Sequence, residues 1–174
     1  MSPGTASLGR VSIRSATRDD VPAVLGLIRA LAAYEREPDA VETTEADLLR
    51  ALFPDEGTPT THCHVAEADG VVVGMAVWFV TFSTWTGRNG IGLEDLFVLP
   101  EHRGAGHGRA LLASLAEVCR QRGWPRLEWT VLDWNTPSIE FYRSLGAGAM
   151  EEWTTHRVTG EALERLGAMA GARS

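Results

Sequence analysis

The chain has 174 residues, 44% of them hydrophobic and 22% charged, with a net charge of −7. That is enough chain for one domain with a real core and too apolar for a disordered segment, and the negative charge argues against a nucleic-acid-binding surface. All sixteen basic residues are arginine, so no lysine can form a Schiff base. The two cysteines, Cys63 and Cys119, match no metal or redox spacing and require no oxidising compartment.

Residues 1–10, MSPGTASLGR, read as a disordered tail, and 11–174 as a single domain. The tail lacks the charged and apolar regions of a signal peptide. The longest apolar run, Val71 to Phe82, is too short to span a bilayer. The expectation is therefore a cytoplasmic protein without membrane or nucleic-acid partners.

In chain order, VSIRSA (11–16) alternates and predicts a strand. Thr17 predicts a helix N-cap, with Asp19 and Asp20 placed where the helix dipole favours acids. Val21, Val24, Leu25, Leu27, Ile28 and Leu31 then mark an amphipathic helix ending near Tyr34. Thr44 with Asp47 predicts a capping box and a short helix to Phe53. HCHVAEA (62–68) predicts a strand, Asp69-Gly70 a hairpin turn, and VVVGMAVWFVTF the returning strand. Ser83 to Gly92 reads as a loop rich in glycine.

LEDLFVL predicts a buried strand, followed by the glycine-rich turn PEHRGAGHG and the helix RALLASLAEVCRQR. A helix start offers unpaired N–H groups and the positive end of a dipole, and glycine lets an anion reach the backbone. The loop is R-x-x-G-x-G, with Arg103, Gly106 and Gly108. It lacks the Gly-Lys-Ser/Thr of a P-loop, and Arg109 stands where a dinucleotide fingerprint wants glycine. By itself the loop fits a phosphate site or an ordinary strand-to-helix turn.

RLEWTVL (126–132) predicts a further strand. Thr136, with Pro137 at the first helical position, predicts the cap of the helix PSIEFYRSLGA, which stops at Gly146. A last strand is expected over Met150–Val158, then a closing helix GEALERLGAM. Hairpins early and a crossover late predict a mixed α/β sheet rather than a doubly wound parallel one.

R-x-x-G-x-G after an apolar strand, Asp-Trp-Asn after a later one, and Phe-Tyr before Leu-Gly-Ala occur together. In that combination the chain resembles the GNAT superfamily of acetyl-CoA-dependent N-acetyltransferases, and within it the diamine (spermidine/spermine) and thialysine acetyltransferases. IRSAT, the Leu31–Tyr34–Glu35 helix end and LEDLFV extend the likeness over nearly the whole chain.

The resemblance implies a mostly antiparallel central sheet flanked by helices, with a V-shaped split between the strands of LEDLFV and RLEWTVL. Acetyl-CoA is the implied cosubstrate. Its pantetheine arm would pair with backbone at Leu96, Phe97 and Val98. Its diphosphate would sit on the loop Arg103, Gly104, Ala105, Gly106, His107, Gly108 and Arg109. Asn135, Thr136, Pro137 and Ser138 match the second cofactor segment. No metal is implied, and His62 with His64 on one strand face lacks a third ligand.

Acetyl transfer to an amine needs a deprotonated amine, N–H donors for the tetrahedral oxyanion and a proton for the leaving thiolate. The resemblance gives the first task to Glu94, through water, and the last to Tyr142. Read alone, Tyr142 could equally fill core, as Phe141 is expected to do. Strand alternation puts Asp95 on the face opposite Glu94. Tyr34, Glu35, Glu94, Glu128, Trp129, Thr130 and Glu152 are the expected contacts of a small cationic amine. Trp78, Trp85 and Trp129 could line a channel, a core or a dimer contact. A homodimer is implied as well. The competing expectations are an acyl-CoA sensor without catalysis, or a transferase for an amino acid, an aminoglycoside or a protein N-terminus.

Overall fold

A computed structural model of the chain describes residues 12–171. The expected tail, residues 1–10, lies outside them. The chain divides into two compact units, Met1–Thr130 and Val131–Ser174.

The first unit is built on a five-stranded sheet of order β1-β2-β3-β4-β5, with β1 at Ser12–Ser15, β2 at His62–Ala68, β3 at Val71–Ser83, β4 at Arg88–Val98 and β5 at Leu127–Glu128. Every pairing is antiparallel except β4 with β5, which is parallel. This is the expected mixed sheet. The β2–β3 turn has φ of 50° at Asp69 and 80° at Gly70. Positive φ at both central residues is what a right-twisted hairpin needs.

Helices α1 (Val21–Tyr34) and α2 (Glu45–Leu52) cover one face. Val21, Val24, Leu25, Leu27, Leu48 and Leu52 pack there against Cys63, Val65, Met75, Val77 and Phe97. Each fully buried side chain of this size contributes about 1.5–3 kcal/mol. Helix α3 (His107–Arg122) lies on the other face, where Ser114 meets His64 Nδ1 at 2.8 Å. Trp78 is buried on that face and stacks on His62 at 4.2 Å, so it is core. Of the predicted N-caps in this unit, Thr44 caps its helix, whereas the N-cap of α1 is Asp20, not Thr17. Asp47 N–H bonds the Thr44 hydroxyl, and Asp20 accepts from the Thr17 N–H, where a 3-10 turn (Arg18–Asp20) precedes α1.

Two expectations in this unit are corrected. The segment 88–92, read as loop, is the first half of β4. Its glycines serve close approach, not turning. A Cβ on Gly92 would come within 2.6 Å of the Phe79 ring, and one on Gly90 within 2.9 Å of the Arg126 carbonyl oxygen. Conversely, the strand expected over 126–132 is two residues long. Its ladder holds only Ile91↔Leu127 and Gly92↔Glu128, so β4 runs on from Leu93 to Val98 without a β5 partner.

The second unit contains α4 (Thr136–Ser144) and α5 (Gly160–Gly171). The N-cap of α4 is Asn135, not Thr136; its side chain accepts from the Ser138 N–H, and Thr136 and Pro137 are already helical. The strand expected over Met150–Val158 is not formed. A strand needs a ladder partner, and among the described residues this unit has no other strand. No helix among the described residues is long and apolar enough to cross a membrane.

Candidate active site

The glycine turn forms the start of α3 as expected, two residues earlier than the helix periodicity suggests. Gly106 is the N-cap at φ 88°, and Gly104 has φ 79°. Both values belong to the left-handed region that favours glycine. The space where a Cβ would stand is open at both. The first helical amide with a carbonyl partner is Ala110, bonded to Gly106 at 2.9 Å. The N–H groups of His107, Gly108 and Arg109 therefore precede the helical ladder. Open glycine faces and unladdered amides at a sixteen-residue helix fit a diphosphate without a metal.

His107 differs from the rest of the loop. Its ring is 4% exposed and its Nδ1 has no hydrogen-bond partner. The sequence reading stopped at its backbone. The buried imidazole is an uncompensated polar atom beneath the loop.

The end of β4 supplies a second set of main-chain groups. Leu99 N–H bonds Val73 O at 2.9 Å, in register with Val98↔Gly74. Antiparallel pairs alternate between bonded and unbonded. The main-chain groups of Phe97 thus face β3, whereas those of Leu96 and Val98 face the edge beyond the last β5 partner. Phe97 is buried in the α1 core.

The register also shifts within β4. Val77 pairs with Asp95 and Trp78 with Leu93, which leaves Glu94 as the extra residue of a β-bulge. Glu94 is exposed there. A bulge resets the alternation of side chains. Asp95 now lies in a row with Val77 and Cys63, on the face that α1 covers. The simple alternation that separated it from Glu94 does not hold across the bulge. Burial first, then repulsion from Glu94 and Glu35, pushes the Asp95 carboxyl up to about 6. Asp95 is thus within electrostatic reach of both Glu94 and Glu35. Asp95 is a neighbour of Glu94 that the alternation argument set aside, because no sequence pattern announces the bulge.

Tyr34, the last residue of α1, has its ring centroid 6.5 Å from that of Phe97. Arg103 lies over both rings, at 4.9 Å and 5.3 Å, and its Nε donates to Val98 O at 2.9 Å. The expected loop residue Arg103 and the expected amine-site residue Tyr34 therefore touch.

The remaining expected residues divide. Glu128 is exposed and ion-paired with Arg126 at 3.3 Å. Trp129 and Thr130 follow β5 outside any strand. In the second unit, Asn135 is buried at the cap of α4. Tyr142 is half-buried on the same helix, its ring 5.4 Å from Phe141. Glu152 is exposed in the segment that forms no strand. Both cysteines are buried, and burial pushes the Cys63 thiol up to about 12, so neither is a nucleophile. Among the described residues no group of three or more His, Cys, Asp or Glu is placed to hold a metal ion.

The sequence pattern of the acetyltransferase (GNAT) family matches residues 27–147. A thialysine N-epsilon-acetyltransferase of Bos taurus is 41% identical over 167 residues, covering 90% of this chain and 96% of the relative. A spermidine/spermine N(1)-acetyltransferase-like protein 1 of Homo sapiens is 35% identical over 167 residues, covering 90% of this chain and 24% of that longer protein. Among solved structures, an integron cassette protein of V. cholerae superposes with a TM-score of 0.75 at 26% identity, covering 90% of this chain and 97% of the other. With its mixed sheet and its glycine loop opening α3, the chain belongs to the acetyltransferase (GNAT) family, and it is an acyltransferase enzyme.

Proposed function

We propose that the protein transfers the acetyl group of acetyl-CoA to the primary amine of a small cationic substrate, with a thialysine-like side-chain amine as the preferred class. The observation that carries this reading is the grouping of Glu35, Glu94 and Asp95 beside Tyr34, next to the uncovered edge of β4. Three carboxylates, with Asp95 in reach of the other two, attract a cation and disfavour an anionic acceptor. Relatives of Bos taurus and Sus scrofa matched over 96% and 98% of their length are thialysine N-epsilon-acetyltransferases.

Acetyl-CoA supplies the activated acetyl thioester. The loop amides from Gly104 to Arg109 hold its diphosphate, and the groups of Leu96 and Val98 pair with its pantetheine arm in a V-shaped opening between β4 and β5. Asn135 to Ser138 add a second binding segment, and 11–174 acts as one acetyltransferase domain. Glu94, exposed at the bulge, takes the amine's proton through water. An alkylammonium holds that proton up to a pKa of about 10, so a nearby base is required. Tyr142 gives its phenolic proton to the departing thiolate. Attack is direct, since both cysteines are buried.

A homodimer belongs to the same reading. Leu163, Leu166 and Met169 recur every third residue on α5 and are exposed, an apolar stripe of the kind a partner covers.

The test is a panel of thialysine, lysine, spermidine, putrescine and an aminoglycoside, with thiol release as readout. Thialysine should lead the aminoglycoside in kcat/KM by at least about tenfold. An aminoglycoside in first place, or thiol release with no amine, would overturn the substrate assignment.

A further inference from the structure

Arg103 opens the loop that the preceding reading gives to the cofactor, and Tyr34 stands at the wall that it gives to the amine. The guanidinium joins them. Its Nε–H is donated to Val98 O, at the end of β4, and its plane lies over the rings of Tyr34 and Phe97. Phe97 is fixed in the core. Tyr34 is half-buried at the C-terminal end of α1 and is directly followed by Glu35, one of the three grouped carboxylates. Arg103 itself is exposed. An exposed cation over a ring is a weak contact, so its consequence is felt in position more than in stability.

We propose that Arg103 is a positioning residue that couples the cofactor loop to the amine site. It rests on the reading that the loop holds coenzyme A and that Tyr34 borders the amine. With the loop amides occupied, the backbone at Arg103 is held, the guanidinium is held with it, and Tyr34 and Glu35 settle at the amine wall. The amine then binds more tightly to the loaded protein than to the empty one. By thermodynamic linkage the amine tightens coenzyme A by the same factor. A factor of about fivefold lies at the lower end of known couplings and suits an exposed contact.

The chain contains two tyrosines, Tyr34 and Tyr142, so 3-fluorotyrosine labelling yields two 19F resonances, assigned with Tyr34→Phe. The full chain is titrated with coenzyme A, whose affinity is followed by calorimetry. In the wild-type protein the Tyr34 resonance should shift. In Arg103→Met, coenzyme A should still bind and the Tyr34 shift should vanish. Initial rates with thialysine and acetyl-CoA varied together give the coupling factor. It should fall from about fivefold to about one in Arg103→Met and in Tyr34→Leu, while Tyr34→Phe, which keeps the ring, retains it. If coenzyme A binds and the Tyr34 resonance stays still, or if Arg103→Met keeps the coupling, the proposal is overturned and the cofactor reading stands. If the wild-type protein binds no coenzyme A, the cofactor reading itself falls and takes the coupling with it.

Discussion

On the proposed reading, the loop before α3 and the carboxylates at the β4 bulge serve the two substrates of one reaction, and the two are built on different principles. The loop works through main-chain donors, positioned by glycines whose positive φ is a local property. The carboxylate group works through side chains of Glu35, Glu94 and Asp95, from two elements far apart in sequence, and it depends on one irregular residue pair in a sheet. The first kind of site tolerates changes of side chain and fails on changes of backbone. The second behaves the other way round.

The largest expected effect removes a group that neither end supplies. Tyr142→Phe should lower kcat by about 10²–10³-fold, the scale of general acid catalysis, with acetyl-CoA affinity intact by calorimetry. Next, Gly106→Ala tests the backbone end. Placing a Cβ at φ 88° costs about 1–2 kcal/mol in the left-handed region, so KM for acetyl-CoA should rise about tenfold while KM for the amine holds. Equal rises in both constants would mean that the two ends are not separable.

Asp95→Asn tests the side-chain end, with the opposite split: KM for the amine rises about fivefold to tenfold as a charge is lost, and KM for acetyl-CoA holds. It also carries a pH signature. The carboxyl is raised from 3.8 to about 6 in the folded protein, so the native state binds more protons than the unfolded chain between those values. Its cost to stability is absent below about pH 4 and complete above about pH 6, so Asp95→Asn should stabilise the protein only as pH rises through that window. At about 1.4 kcal/mol per pKa unit, thermal unfolding at pH 8 should show a gain on the order of 3 kcal/mol, and none at pH 4. The smallest effect is His107→Leu. It removes a buried unpaired nitrogen and leaves the loop amides in place, and should raise stability by about 1 kcal/mol with little change in either KM.

The two ends also differed in how far they could be read from the chain. RGAGHG announces the loop, because glycine spacing before an amphipathic helix constrains backbone directly. Thr44 with Asp47, and Asp69-Gly70, were legible for the same reason. Gly90 and Gly92 look like turn residues in isolation and prove to be strand residues, because what they avoid is Arg126 and the Phe79 ring, both distant in sequence. RLEWTVL and the segment 150–158 carry the composition of strands, but a strand exists only where an edge is offered to it.

What the chain by itself determined is therefore everything held by nearest-neighbour rules: helices α1 to α5, the Thr44–Asp47 capping box, the β2–β3 hairpin, and a ready row of amides at the start of α3. Only the tertiary structure decided that Glu94 bulges, that Asp95 turns toward α1 and Glu35, that β5 leaves β4 after two pairs, and that Arg103 lies on Tyr34. Each of these depends on register or contact between segments brought together by packing, and a shift of one residue in a strand reverses which face a side chain meets.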